Sequence, residues 1–189
     1  MKIFFLASIS ASDDLKKAFN VITDATKELG HEVHDSHVIE TNEQLLTQSE
    51  EFLEKRARQL MNTLLSCDAL VFEGTTPSTG CGYYISAALQ RQIPVLFLTT
   101  GKYTGLYLGD PDRLLKFEIY NADNKDQLKN ILTKFFAFAN KRGLNNRFNM
   151  MIDDATEDYL NEISKKMHIS KSDYVRNLII QNIEEKENS

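Results

Sequence analysis

Cysteine is scarce. Cys67 and Cys81 are the only two in 189 residues, and they form no CxxC pair. That argues against a disulfide framework or a zinc ribbon, and two free thiols fit a reducing cytoplasm. Positive charge is not in excess either. The 22 Lys and Arg residues face 27 acids, a formal net charge of -5. A surface built to coat nucleic acid is therefore excluded, while a local basic face is not. No stretch approaches the roughly 20 apolar residues of a membrane span. The opening MKIFFLASIS carries a lysine and a short apolar run. The run is too short for a secretory signal, a polar amphipathic segment follows at once, and a buried first strand is the expectation. Internal repeats and low-complexity tracts are lacking. His31, His34 and His37 are spaced by three, which gathers metal ligands only on a helix. Here they follow Gly30 in a strand and loop and point different ways, so no metal site and no cofactor are expected.

What is present alternates. Lys2 to Leu6 reads as a buried strand. Ser8, Ser10 and Ser12 make a polar turn. Ser12 is placed to cap a helix, with Asp13 and Asp14 at its positive end. Leu15, Ala18, Phe19, Ile22, Ala25 and Leu29 recur at helical spacing, and Gly30 stops the run. His31 to Val38 reads as strand and loop, and 42–66 as a long amphipathic helix. Asp68 to Glu73 is a short strand, and Gly74 to Gly82 a turn rich in Gly, Thr and Ser. Tyr83 to Arg91 reads as a helix, Pro94 to Leu98 as a strand, Leu114 to Tyr120 as a last strand and Lys125 to Asn140 as a last helix. Alternation with short connections predicts an α/β fold: a Rossmann-like parallel sheet flanked by helices on both faces. Residues 141–146 read as a polar linker, and 147–189 as a separate module.

In open α/β sheets ligands bind beyond the carboxyl ends of the strands. The segment from Glu73 to Gly82 sits at such a place. Gly80 and Gly82 allow a ligand to approach the backbone, Thr75, Thr76 and Ser78 offer hydroxyls, and the N–H groups at a helix start favour a phosphate or carboxylate. The same residues also fit a plain strand-to-helix turn. Asp68 to Glu73 (DALVFE), followed by Pro77 to Gly82 (PSTGCG), resembles the motif of the nucleoside 2-deoxyribosyltransferase family, whose relatives include the 2′-deoxynucleoside 5′-monophosphate N-glycosidases. Ile3 to Ser8 is similar to the family's first strand and serine turn. The resemblance spans residues 1–140. It implies a nucleoside or nucleotide ligand held by Ser8, Ser78, Gly80 and Gly82, with Asp68 and Ser78 retained. It also implies departures. The catalytic carboxylate position falls on Tyr84, and the first-strand tyrosine on Phe4. The phosphate-binding turn, with Gly and Arg in the monophosphate branch, reads ASISASD from Ala7 to Asp13, without a cation. Glu73 is a candidate replacement carboxylate, or else a structural acid. Thr104 falls where the family lends a hydroxyl to the partner subunit's site, and also fits a polar loop.

From Arg147 to Asp153 the chain alternates, with Phe148, Met150 and Ile152 on one face and Arg147, Asn149 and Met151 on the other. Two amphipathic helices follow, carrying Leu160, Ile163 and Met167, then Tyr174, Val175, Leu178, Ile179 and Ile183. Roughly 40 residues cannot enclose a core alone, so a second copy is expected. This layout resembles the ribbon-helix-helix family. By that resemblance Arg147, Asn149 and Met151 would face the bases of double-stranded DNA, and Ser170, Lys171 and Ser172 a phosphate. Acids outnumber bases in the module, which also fits a dimerisation device.

The leading expectation is a DNA-binding regulator, a homodimer or tetramer, whose first domain senses a nucleotide and has lost catalysis. The alternative is an active nucleoside or nucleotide N-glycosidase or deoxyribosyltransferase with an altered catalytic set, the tail serving assembly. A third is a protein-binding assembly.

Overall fold

The computed structural model describes residues 1–35, 47–101, 114–142 and 150–187. They divide between two compact units, one holding 1–89 and 93–143, the other 144–189 with 90–92.

The first unit begins with β1 (Lys2–Ala7), which is buried from Ile3 onward. Helix α1 (Asp13–Glu28) starts where Ser12 accepts a bond from the Leu15 N–H at 3.4 Å, with Asp13 and Asp14 in its first turn. It ends before Gly30, whose φ of +83° is the left-handed region where a Cβ is disfavoured. Strand β2 (Glu32–Asp35) follows. Helix α2 (Glu50–Leu65) begins later than the periodicity implies, because Ser49 caps it by accepting from the Phe52 N–H at 3.2 Å. The first part of the predicted helix lies outside the described residues. Then come β3 (Ala69–Glu73), α3 (Thr79–Gln90), β4 (Val95–Thr99), β5 (Leu115–Ile119) and α4 (Lys125–Arg142). Helix α3 takes in Gly80 and Gly82, so the predicted turn ends at Ser78 rather than at Gly82.

The sheet has the order β2-β1-β3-β4-β5 and every described pair is parallel. Successive residues of a strand point to opposite faces, and here both faces are covered. On one, Ile3, Phe5, Ala7, Val71, Leu96 and Leu98 pack with α1 and α4. On the other, Phe4, Leu6, Leu70, Phe72 and Phe97 pack with α2 and α3. This burial on both sides is why β1, β3 and β4 read as continuous apolar runs.

The second unit contains α5 (Asp154–Met167) and α6 (Lys171–Glu187). Asp153 caps α5 by accepting from the Thr156 N–H at 2.8 Å, and His168 closes it at φ +54°. Ser170 accepts from the Asp173 N–H at 3.1 Å and so caps α6. Met150–Asp153 form no strand within a single chain, and the start of the strand expected at 147–153 lies outside the described residues. The ladder expected for this segment is one between two chains, and a single chain leaves it unpaired.

Candidate active site

Strand order makes the site. Strand β1 leads through α1 to β2 on one side, and β3 leads through α3 to β4 on the other. The order therefore reverses between β1 and β3, the switch point beyond whose carboxyl ends open sheets of this kind hold ligands in a crevice. Ala7 and Glu73 stand side by side at its base.

On the β1 side, Ser8 is buried, and its hydroxyl accepts from the Ser10 N–H at 3.3 Å. On the β3 side, Ser78 heads α3: its hydroxyl accepts from the Cys81 N–H at 3.3 Å and its carbonyl from the Gly82 N–H at 3.1 Å. The first turn of α3 carries no acid, so its positive end is not neutralised from within. The Cys81 thiol donates to the Ala7 carbonyl at 3.4 Å and ties the start of α3 to the end of β1. Burial pushes the Cys81 thiol up, and the Cys67 thiol up to about 11, so neither is a reactive thiolate.

The two glycines singled out in the sequence are not where packing demands glycine. A Cβ at Gly82 would meet nothing within 4 Å, and one at Gly80 only the Ser78 hydroxyl at 3.9 Å. Both leave room beside the helix start. The close approach is at Gly74, where a Cβ would lie 2.3 Å from Phe97 Cζ and 2.5 Å from Phe72 Cε1.

Glu73 is 1% exposed. Its Oε1 accepts from the Thr75 N–H at 3.3 Å, from the Thr75 hydroxyl and from the Tyr120 hydroxyl at 3.3 Å. Oε2 has no partner. Burial raises the carboxyl above the ordinary glutamate range, and the Thr75 and Tyr120 bonds pull it partly back. Burial and the adjacent Glu73 push the Tyr120 phenol up. Tyr84 lies on the other side of the sheet, packed against the α2–α3 cluster. Burial raises its phenol, and the nearby Arg56 charge offsets part of this. Glu73 shares the α1–α4 face with Val71 and Tyr120, so it does not stand in for a carboxylate at Tyr84's place.

None of the established protein-family models matches the chain. A protein of Methanosarcina barkeri named "Putative 2'-deoxynucleoside 5'-phosphate N-hydrolase 1" is 39% identical over 140 residues, 71% of this chain and 84% of its own length. Its namesake from Methanosarcina mazei is 38% identical over 139 residues, 70% of this chain and 82% of its own. The chain belongs to this N-hydrolase family. The solved structure of a CMP N-glycosidase from Clostridium botulinum matches with a TM-score of 0.50, over 71% of this chain and 99% of its own. At 19% identity that likeness is one of fold.

Within this N-hydrolase fold the expected residues separate into three places. Ser8, Ser78, Gly80, Gly82 and Glu73 lie at the crevice or its base, and Tyr84 lies one helical turn further along α3. Asp68 does not join them. It precedes β3 at the sheet's amino edge, where it accepts from the Lys2 N–H at 2.7 Å. Five residues of strand, about 16 Å, separate it from Glu73. It lines a shallow hollow of about 550 Å³ with Met1, Lys2, Gly30, Glu32 and Ser66. Expecting Asp68 in catalysis is therefore a misplacement: it sits at the wrong end of its strand. Gly74, Thr100 and Tyr120 were missed. Thr100 contributes its N–H to the Thr75 hydroxyl at 2.9 Å.

In the second unit, two of the three residues expected to hold DNA phosphate are engaged internally. The Ser170 hydroxyl donates to Asp173 at 2.6 Å, and Lys171 pairs with Glu157 at 3.0 Å. Ser172 follows them at the start of α6. Met151 is 97% exposed, while Arg147, Asn149, His37 and Thr104 lie outside the described residues. Among the described residues no group of His, Cys, Asp and Glu could hold a metal ion, and no helix is long and apolar enough to cross a membrane.

Proposed function

We propose that the first unit binds a 2′-deoxynucleoside 5′-phosphate, or the nucleoside itself, in the β1/β3 crevice and hydrolyses its N-glycosidic bond slowly. The observation that carries this reading is the acid-free, Ser78-capped start of α3 opening at the switch point, with space beside Gly80 and Gly82. In the reaction the C1′–N bond breaks, water adds its oxygen to C1′, and the base leaves with a proton. The sugar passes through an oxocarbenium-like state that a nearby anion stabilises. Tyr84, in the place where the resemblance puts a carboxylate, offers a neutral phenol. Losing such a group costs several orders of magnitude in rate, so the turnover is low while binding is retained.

Restoring the carboxylate tests this. Base release from the four common 2′-deoxynucleoside 5′-phosphates and their nucleosides is measured for the wild type and for Tyr84→Glu. The expected gain in Tyr84→Glu is at least about 100-fold. A folded Tyr84→Glu protein that binds these compounds and releases no base overturns the hydrolysis reading.

The second reading keeps the regulator, with α5 and α6 serving DNA binding. One observation favours a role for that unit in assembly: Leu178, Ile179 and Ile183 of α6 and Met167 of α5 are each about half exposed, an apolar face that a second copy of this chain would cover. Lys171 and Ser170 already have internal partners, and the named relatives favour hydrolysis over DNA binding. Binding to DNA upstream of the gene at two salt concentrations, beside an Arg147→Ala, Asn149→Ala variant, separates the readings.

A further inference from the structure

Glu73 is the one carboxyl in the core among the described residues, and the proposed reaction does not use it. Its hydrogen bonds fix where a proton can sit. Each hydroxyl has one hydrogen to give. The Thr75 hydroxyl gives its hydrogen to Glu73 Oε1, so in the Thr75–Thr100 contact at 3.2 Å the Thr100 hydroxyl donates. The Thr100 N–H also donates to the Thr75 oxygen, and Tyr120 gives its hydrogen to Oε1. Three hydrogens, from the Thr75 N–H, the Thr75 hydroxyl and the Tyr120 hydroxyl, thus point at Oε1, while the Thr100 donors end on the Thr75 oxygen. Oε2 is buried and has none. An ionised carboxyl would leave a buried anionic oxygen with neither hydrogen bond nor cation, which is strongly unfavourable.

We infer that Glu73 is held as a neutral acid with its proton on Oε2, that Thr75 and Tyr120 are its positioning residues, and that this O–H donates to an oxygen or ring nitrogen of the compound bound in the crevice. Glu73 ends β3 beside Ala7 of β1, at the base of the switch point, and its O–H has no acceptor among the described residues. The donor role rests on the binding site proposed above; the proton's position does not. The raised carboxyl agrees with the assignment, since burial is its largest cause. The titratable groups on the surrounding elements do not supply a counter-charge. They are Tyr120 after β5, Cys81 on α3, Asp13 and Asp14 on α1 with their partners Lys16 and Lys17, and Lys125, Asp126 and Lys129 on α4, the last paired with Glu28 at 2.6 Å.

The test reads the proton first. Infrared difference spectra of the whole protein against Glu73→Gln isolate the Glu73 carboxyl. A protonated carboxyl band is expected at pH 7. Tyr120→Phe keeps the core ring and removes one donor to Oε1, so the band's titration midpoint moves upward by roughly one pH unit. The donor is read next, by equilibrium dialysis with the deoxynucleoside 5′-phosphates and nucleosides. Glutamine places an acceptor at Oε1 and a donor at Oε2, so Glu73→Gln binds within a few-fold of wild type. Glu73→Met has neither and weakens binding about tenfold. An ionised Glu73 at pH 7, or a midpoint that does not rise in Tyr120→Phe, overturns the proton assignment and leaves hydrolysis standing. A Gln variant as weak as the Met variant, or a wild type that binds none of the probes, overturns the donor role. Binding that follows this pattern without base release from Tyr84→Glu overturns hydrolysis alone.

Discussion

Gly74→Ala is the sharpest perturbation of the turn that leads from the sheet to the site. The added carbon would lie 2.3 Å from Phe97 Cζ, 2.4 Å from Phe97 Cε1 and 2.5 Å from Phe72 Cε1. Favourable carbon contacts begin near 3.5 Å, so the overlap is about 1 Å against two rings at once. Those rings cannot give way independently. They meet edge-on at 4.8 Å, and Phe97 stacks on Phe117 at 5.1 Å. Overpacking of this kind costs about 3 kcal/mol at the upper end of its usual range, and alanine's stiffer unfolded chain returns about 0.5 kcal/mol. The net loss of about 2.5 kcal/mol lowers the melting temperature by roughly 5–10 °C for a chain of this size. Gly82→Ala is the internal comparison. It meets nothing within 4 Å and lies in a helix, where alanine gains about 0.5–1 kcal/mol over glycine. Thermal melts followed by far-ultraviolet circular dichroism read both. A Gly74→Ala protein melting within about 2 °C of wild type, or a Gly82→Ala protein equally damaged, refutes the packing argument. If Gly82→Ala is stable yet no longer binds nucleotide, Gly82 serves the ligand and Gly74 the fold.

Three further outcomes follow. Glu73 has a folded-state carboxyl above its unfolded value, so the native state holds its proton more tightly and stability falls as pH rises through and above the ordinary glutamate range, near 4.3. Glu73→Gln removes this dependence, so its stability relative to wild type climbs as pH rises above the ordinary glutamate range in urea titrations; a constant difference contradicts the assignment. Asp68→Asn, altered at the amino edge away from the crevice, leaves nucleotide binding and base release within about twofold of wild type, in steady-state assays on the Tyr84→Glu background. Ser170→Ala removes the cap of α6 and costs about 1 kcal/mol, seen as faster amide hydrogen exchange in the first turns of α6 with the first unit unchanged.

The fold was legible where burial writes a pattern. Residues of β1, β3 and β4 are apolar on both faces because helices cover both, and the α1 boundaries follow from Ser12, the paired aspartates and Gly30. The start of α3 was harder to see. Glycines at 80 and 82 resemble a turn, but Ser78 supplies the cap that lets the helix begin before them. The apolar alternation from Arg147 onward reads as a strand, yet pattern alone supplies no partner ladder. The ligand-side residues Ser8 and Ser78 were legible from the rule that binding lies beyond carboxyl ends. Tyr120 was not, because a tyrosine ending an edge strand looks like any other core residue until Glu73 is found beneath it.

Asp68 shows how that same rule could have been used more fully. Asp68 and Glu73 bracket one strand and differ in sequence only by five places. In a parallel sheet every strand runs from its amino edge to the ligand edge, so an acid preceding a strand and an acid ending it belong to opposite rims. Strand direction therefore rejects Asp68 without coordinates. Face needs one step more. Val71 and Glu73 share a parity that sends Glu73 toward α1 and α4, whereas α3 carries Tyr84 on the opposite side. The two acids expected at the site from sequence, Asp68 as a retained residue and Glu73 as a replacement carboxylate, are thus displaced from Tyr84, one along the strand and one through the sheet. Neither replaces a carboxylate at residue 84. A rate gain in Tyr84→Glu is accordingly the outcome on which hydrolysis by this chain depends, and Glu73 is left free to serve as a neutral donor.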